Sequence, residues 1–263
     1  MIAILATPQR DLDEYSVNKL ETFLRSDEQF GRTLFYIASA TQRPMSQMPN
    51  LSAWLEEWGI AVGDSVVFET NPALLRTHWD LTMAFVNYTE NVFSAELRQR
   101  DLFPVIMQSR PLSLLYDYYG MRQTQILLEF SSTSGVAPED RTDWNPLDAD
   151  PTGPHPALLL STYYGGWSDG PIVSHVLVSG SYHAFSADLL GQINYANADY
   201  FLTVLNGLTG REETVRIADR TLSVNSITLS VTQRITISIV VFIILPLSLL
   251  TFGIIVWWRR RHR

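Results

Sequence analysis

Apolar positions change spacing along the chain, and each change predicts an element. IAILA (residues 2–6) is a continuous apolar run and predicts a buried strand. DLDEYSVNKLETFL then opens with Asp11 and Glu14 at capping-box spacing, and Val17, Leu20 and Leu24 share one helical face with Phe23 beside them. TLFYIA (33–38) predicts a second buried strand. The segment therefore reads as strand–helix–strand, a parallel pair with a right-handed crossover.

NLSAWLEEWG gives the clearest helix. Asn50 stands at its cap, Leu51, Trp54, Leu55 and Trp58 line one face, and Gly59 ends it. DSVVFE predicts a strand, whereas 71–100 is weakly patterned. LFPVIM, TQILLEF, HPALLLSTYY and IVSHVLVSGS predict further strands, and NADYFLTVLNGLTG a helix ending near Gly210. Strands alternating with helices predict an α/β class: an open, mostly parallel sheet flanked by helices over 1–221.

Beyond that body, 222–233 is uncharged and rich in Ser and Thr, and 222–234 is read as a tether. Residues 235–258 carry no charge over 24 positions, a helix of about 36 Å against a hydrocarbon core of about 30 Å. Pro246 in the middle predicts a kink. Trp257 and Trp258 stand where indoles meet headgroups, and Arg259, Arg260, Arg261 and Arg263 follow. These features predict a single-pass membrane helix with a short basic tail (259–263). The arginine bias places the C-terminus in the cytoplasm and the N-terminal body outside the cell membrane. The start, MIAILATPQRDLDE, lacks a basic region and a long apolar core, so it is no signal peptide; either an upstream membrane segment precedes this chain or the body stays in the cytoplasm against the charge bias.

Charge narrows the function. The chain has a formal net charge of −8; without the four terminal arginines the body carries about −12, with Lys19 its sole lysine. No basic stripe exists to bind nucleic acid. There is no cysteine, which excludes disulfides, thiolate metal sites and a cysteine nucleophile. The phosphate-binding Gly-x-x-x-x-Gly-Lys-Ser/Thr pattern is absent. Glu139, Asp140, Asp143, Asp148 and Asp150 belong to a Pro-rich loop without EF-hand spacing, and His78, His155, His175 and His183 lack zinc-ligand spacing. Neither metal nor cofactor is expected.

Two stretches raise binding or catalysis. SGSYH places Ser181 and His183 at a strand end without the Gly-x-Ser-x-Gly elbow of serine hydrolases, and reads as a turning strand end. A membrane-anchored serine hydrolase, or a cell-surface sugar-binding receptor, stays the alternative of another class. YYGGW (Tyr163, Tyr164 to Trp167) combines aromatics with glycines, suiting a packed turn or a sugar- or peptide-binding surface. Tyr163, Tyr164, Trp167, Tyr182 and His183 are the candidate partner contacts, and the segment from Asp188 to Asp199 is a further one.

MPNLSAWLEEWGIAVGDSVVFETNP, VLVSGSYHAFSADLLGQINYANADYFLTVLNGLTGRE and LSVTQRITISIVVFIILPLSLLTFGIIVWWRRRHR, in that order, resemble the C-terminal part of the GldG-like auxiliary subunits of ABC-type transport systems. The resemblance implies a glutamine-amidotransferase-like α/β domain between two membrane helices. It also implies a non-catalytic role in assembly or substrate handling beside an ABC permease and a separate ATPase, with the lipid bilayer as a further contact.

Overall fold

IAILA forms strand β1 (Ile2–Ala6), and TLFYI forms β2 (Thr33–Ile37), parallel to it from Ile2 opposite Thr33 to Ala6 opposite Ile37. Helix α1 (Glu14–Arg25) joins them. Its N-cap is Asp13, whose Oδ1 accepts the Ser16 amide at 2.8 Å. Asp11 caps the next helix instead. Its Oδ2 accepts the Asn50 amide and its Oδ1 the Leu51 amide, both at 3.0 Å. Helix α2 runs Pro49–Glu57, so Asn50 lies inside the first turn rather than at the cap. Proline opens the helix where no amide hydrogen is needed, and the distant carboxylate sits at the positive end of the helix dipole.

The structure, a computed structural model, describes residues 1–27, 29–77, 79–138, 150–167 and 171–210, with isolated positions from 242 to 261. Two units divide the chain, Met1–Thr214 and Val215–Arg263. The first continues with β3 (Ile60–Val62), β4 (Val67–Glu69), β5 (Leu75–Thr77), β6 (Asp80–Phe85), β7 (Asn87–Tyr88), α3 (Ala95–Gln99), β8 (Val105–Met107), β9 (Leu112–Leu114) and β10 (Tyr118–Tyr119). After these come β11 (Arg122–Glu129), β12 (Ser134–Val136), β13 (Pro156–Trp167), β14 (Pro171–Ser179), α4 (Ala187–Leu190) and α5 (Asn197–Leu208). The weakly patterned stretch forms short, half-buried strands, β5 and β6, which pair with β8 in a small sheet of their own.

The main sheet has the order β1-β2-β14-β13-β11-β10, with β7 also on β11. Parallel pairing is confined to β1 with β2 and β2 with β14; β14 with β13, β13 with β11, and β11 with β10 and β7 are antiparallel. The expected open, mostly parallel sheet of glutamine-amidotransferase type is thus corrected to a mixed, strand-rich one. The reason is chain length. A parallel neighbour needs a crossover of a dozen or more residues, and the segment between Trp167 and Pro171 is far too short for one, so β13 and β14 form a hairpin.

Alternate residues serve opposite faces. Leu34, Tyr36, Leu159, Val176 and Val178 pack with Leu24, Leu51, Trp54 and Leu55 of α1 and α2. Phe35, Ile37, Leu158, Leu160 and Leu177 pack with Tyr200, Phe201 and Val204 of α5. Burial on both faces makes the strands read as unbroken apolar runs. Asn197 pins α5 to β8: its Oδ1 accepts the Val105 amide at 2.8 Å and its Nδ2 donates to the Val105 carbonyl at 2.8 Å.

The single-pass membrane placement is corrected as well. A span needs about 20 helical residues so that every amide is bonded within the segment. Among the described residues no helix is long and apolar enough to cross a membrane; in the first unit the longest, α1 and α5, have 12 residues each. An outside body with a cytoplasmic C-terminus therefore has no structural support. The tether, most of 235–258, and Trp258 and Arg259 lie outside the described residues, as do His78, Glu139, Asp140, Asp143 and Asp148. Of the expected interfacial residues Trp257, Arg260 and Arg261 are described, and the Arg261 guanidinium carbon stands 5.2 Å from the centre of the Trp257 ring. This is a one-turn cation–π pair.

Candidate functional site

Open sheets gather ligands at the carboxyl ends of their parallel strands. Here β2 and β14 run out at Ser39 and Gly180, and Arg110 occupies the space between them, 1% exposed. Its amide donates to the Gly180 carbonyl at 2.9 Å. Nε donates to the Ser39 carbonyl at 2.7 Å, and Nη2 to the carbonyls of Gln42 at 2.5 Å and Arg43 at 3.1 Å. Nη1 donates to Asp64 Oδ1 at 3.0 Å and the Gly63 carbonyl at 3.3 Å. A guanidinium has five N–H donors, and these bonds employ the whole fork. The place where a doubly wound enzyme would hold its substrate is filled by a structural staple.

Ser181 lies beside it, buried. Its Oγ donates to the Met107 carbonyl and accepts the Ala184 amide at 3.2 Å, so it caps the 3-10 turn His183–Phe185. The His183 ring stands edge-on to Tyr182 at 6.0 Å, and among the described residues no hydrogen bond joins it to Ser181. A base must reach its nucleophile to activate it, and this pair is not so arranged.

The opposite end of the sheet is different in kind. Strands β10 and β11 form a hairpin through Gly120 and Met121, and β10 ends the sheet order. Tyr118 is 72% exposed and Tyr119 68%, with Leu115, Met121 and Tyr164 also exposed. Gln123 ties two of these tyrosines: its Nε2 donates to the Tyr118 hydroxyl at 2.8 Å, and its Oε1 accepts the Tyr164 hydroxyl at 2.9 Å. Cross-strand partners share a face. Tyr119 and Tyr163 are therefore both on the side of Arg122, toward α1 and α2.

On that side a cleft opens, lined by Glu21, Arg25, Phe30, Trp58, Arg122 and Tyr163; its empty volume, open solvent included, is about 260 Å³. The Arg122 guanidinium carbon stands 5.1 Å from the Trp58 ring centre and 5.7 Å from that of Tyr163. Phe30 stacks on Tyr163 at 5.4 Å. Glu21 Oε1 accepts both indole N–H groups, Trp54 at 2.6 Å and Trp58 at 3.2 Å, and so clamps α1 to α2. Gly165 is required by this packing: a Cβ there would lie 2.3 Å from the Phe30 ring.

On the face of Tyr164, His175 Nδ1 pairs with Thr162 Oγ1 at 3.0 Å, and burial pushes the imidazole down to about 4. Burial also lowers His155, whose Nε2 pairs with Thr152 Oγ1 at 3.0 Å. Among the described residues no group of His, Asp and Glu is placed to hold a metal.

The five expected contacts thus separate. Tyr163 lines the cleft, and Tyr164 is exposed on the opposite face of β13, its hydroxyl bonded to Gln123. Trp167 ends β13, and its side chain is outside the described residues. Tyr182 and His183 follow the far end of β14, on the order of 20 Å along the strand from the residues opposite Tyr163. The expected segment from Asp188 to Asp199 covers the end of α4, the connection 191–196 and the start of α5. Sequence reasoning missed Tyr118, Tyr119 and Arg122. The signal was a tight turn, YDYYGMRQ, with a glycine between aromatic and polar strand residues.

Fold and site together define a mixed-sheet domain covered on both faces, with a filled strand-end crevice and a tyrosine-lined free edge. No family model matches the sequence, and no curated protein matches it. Among solved structures the chain is similar to one titled "mmIFT52 N-terminal domain", with 18% identity and a TM-score of 0.55, over 81% of this chain and 79% of that one. At that identity the likeness shows the fold alone.

Proposed function

We propose that the Met1–Thr214 unit is a non-catalytic binding domain that engages a partner protein along its β10 edge. The observation that carries this reading is the exposed pair Tyr118 and Tyr119 on β10, which ends the sheet order among the described residues, with Leu115, Met121 and Tyr164 exposed on neighbouring segments. Tyrosine brings large contact area, few rotors and a hydroxyl, and it is enriched where interfaces hold their binding energy. A free strand edge offers backbone donors and acceptors to an added strand. The spent donors of Arg110 and the capping role of Ser181 support a domain without chemistry of its own. The resemblance to GldG-like subunits supports permease and ATPase subunits of an ABC-type transport system as the partners.

The test is capture of the tagged full chain from native extracts, with bound proteins identified by mass spectrometry. ABC permease or ATPase subunits should be recovered with the wild type and reduced tenfold or more, on the order of 1.4 kcal/mol, with Tyr118→Ser/Tyr119→Ser. Recovery unchanged by that double variant, or the absence of such subunits, overturns the reading.

A further inference from the structure

We propose that the cleft beside Arg122 receives a single acidic side chain, Asp or Glu, from the polypeptide that lies along β10. The proposal rests on the reading of that edge as the partner surface, and it assigns the partner's chemistry.

Arg122 is the starting point. Its Nε is buried without a hydrogen-bond partner, and among the described residues the guanidinium makes neither a hydrogen bond nor an ion pair. Its contacts are the faces of Trp58 and Tyr163. Rings on the faces of a guanidinium leave its donor-bearing edge for a ligand, and they hold the side chain in place, which lowers the ordering cost of binding. A planar fork of this kind fits a carboxylate bidentately.

Arg25 adds a second cation. It stands in the last turn of α1, lines the same cleft and forms no ion pair among the described residues. The one lining carboxylate, Glu21, already accepts two indole hydrogens and pairs with neither arginine. Two cations against one carboxylate leave this lining with one net positive charge in a body of strongly acidic balance.

Register connects the cleft to the edge. Tyr119 on β10 is the cross-strand partner of Arg122. A strand added to β10 alternates its side chains between the two faces of the sheet. Every second side chain would therefore point to the face of the cleft, while the others would point to the face of Tyr118 and Tyr164.

The experiment uses the full-length ¹⁵N-labelled protein and three probes: the acetylated, amidated peptide Thr-Val-Glu-Val-Thr, the same peptide with Gln for Glu, and inorganic phosphate. The readouts are the Arg122 Nε–H and Trp58 indole N–H resonances. The Glu peptide should shift both saturably with Kd near ~1 mM, a weak isolated anchor. The Gln peptide and phosphate should bind at least about tenfold more weakly, since each lacks either the charge or the strand. Arg122→Lys, which keeps charge but loses the fork, should weaken the Glu peptide roughly tenfold. Arg25→Gln, at an exposed position, should weaken it about twofold to fivefold.

Equal binding of the Gln peptide, tighter binding of phosphate, no saturable shift, or full affinity in both variants overturns the proposal. Partner capture separates it from the underlying reading. If Tyr118→Ser/Tyr119→Ser loses the partner and Arg122→Lys does not, the acidic anchor falls and the edge stands. If the tyrosine variant keeps its partner while the Glu peptide still titrates the cleft, the edge falls and the carboxylate site stands.

Discussion

Arg110 Nη1 lies 3.0 Å from Asp64 Oδ1, and this pair closes the crevice where β2 and β14 end. Asp64 Oδ1 also accepts the Met45 amide, so one carboxylate oxygen links the guanidinium to the turn before α2. Truncating one member of such a pair leaves the other without its charge partner. Arg110→Met should lower stability by about 3–5 kcal/mol in urea denaturation. A loss under about 1 kcal/mol would show that the carbonyls around it find other donors.

The close contact at Gly165 makes a second prediction. Phe30 has φ of +52°, a region a side chain disfavours, and it is held there by its stacking on Tyr163. Gly165→Ala places a methyl in the Phe30 ring and should cost about 1–3 kcal/mol. Combined with Phe30→Ala, the same change should be nearly free, giving a coupling of roughly 1–3 kcal/mol in a double-mutant cycle. Additive losses would mean that the ring and the glycine do not compete for space.

His175 carries the pH dependence. Its folded value, about 4, lies below the unfolded 6.5 because burial disfavours the imidazolium. Between those values the unfolded chain binds a proton that the folded chain does not. The stability is therefore complete above about pH 6.5 and is lost as pH falls toward 4, by roughly 3 kcal/mol. His155 acts in the same direction. The melting temperature should fall across that window, and His175→Gln should flatten the fall. An equally steep profile in the variant would assign it to the carboxylates.

Ser181 has a hydroxyl spent on a carbonyl and an amide. The protein should not be labelled by a fluorophosphonate probe that reacts with activated serines. Ser181→Ala should lower stability by about 1 kcal/mol through the lost turn cap. Stoichiometric labelling that disappears in Ser181→Ala would reverse the structural assignment.

The long-range cap gives the last test. Asp11 serves the α2 amides of Asn50 and Leu51, whereas Asp13 serves α1. Asp11→Ala should cost about 1 kcal/mol, and hydrogen exchange should rise in the first turn of α2, not of α1. Protection lost in α1 alone would restore the local capping box.

How much of this was readable depended on whether partners were neighbours in the chain. Leu24 of α1 and the Leu51–Trp54–Leu55–Trp58 face of α2 follow from periods of three and four residues, which a helix turns into one side. Tyr163 and Tyr164 stood out as aromatics beside glycines. The direction of β14 relative to β13 did not, because a strand buried on both faces shows the same apolar run whether its neighbour is parallel or antiparallel. Asp11 looked like the cap of the nearest helix, since a capping box is defined by local spacing.

The acidic balance, the absence of thiols, the two helix faces and the strands as apolar runs follow from residue type and short-range period alone. The mixed strand order, the Arg110 staple and the Arg122 cleft arise from contacts between segments far apart in the chain. Arg122 meets Trp58 from α2's end, Tyr163 from β13 and Tyr119 from β10, and no spacing along the chain encodes which of these segments the sheet brings together. Hydrogen-bond register across strands sets that, and register is a property of paired segments, not of any one of them.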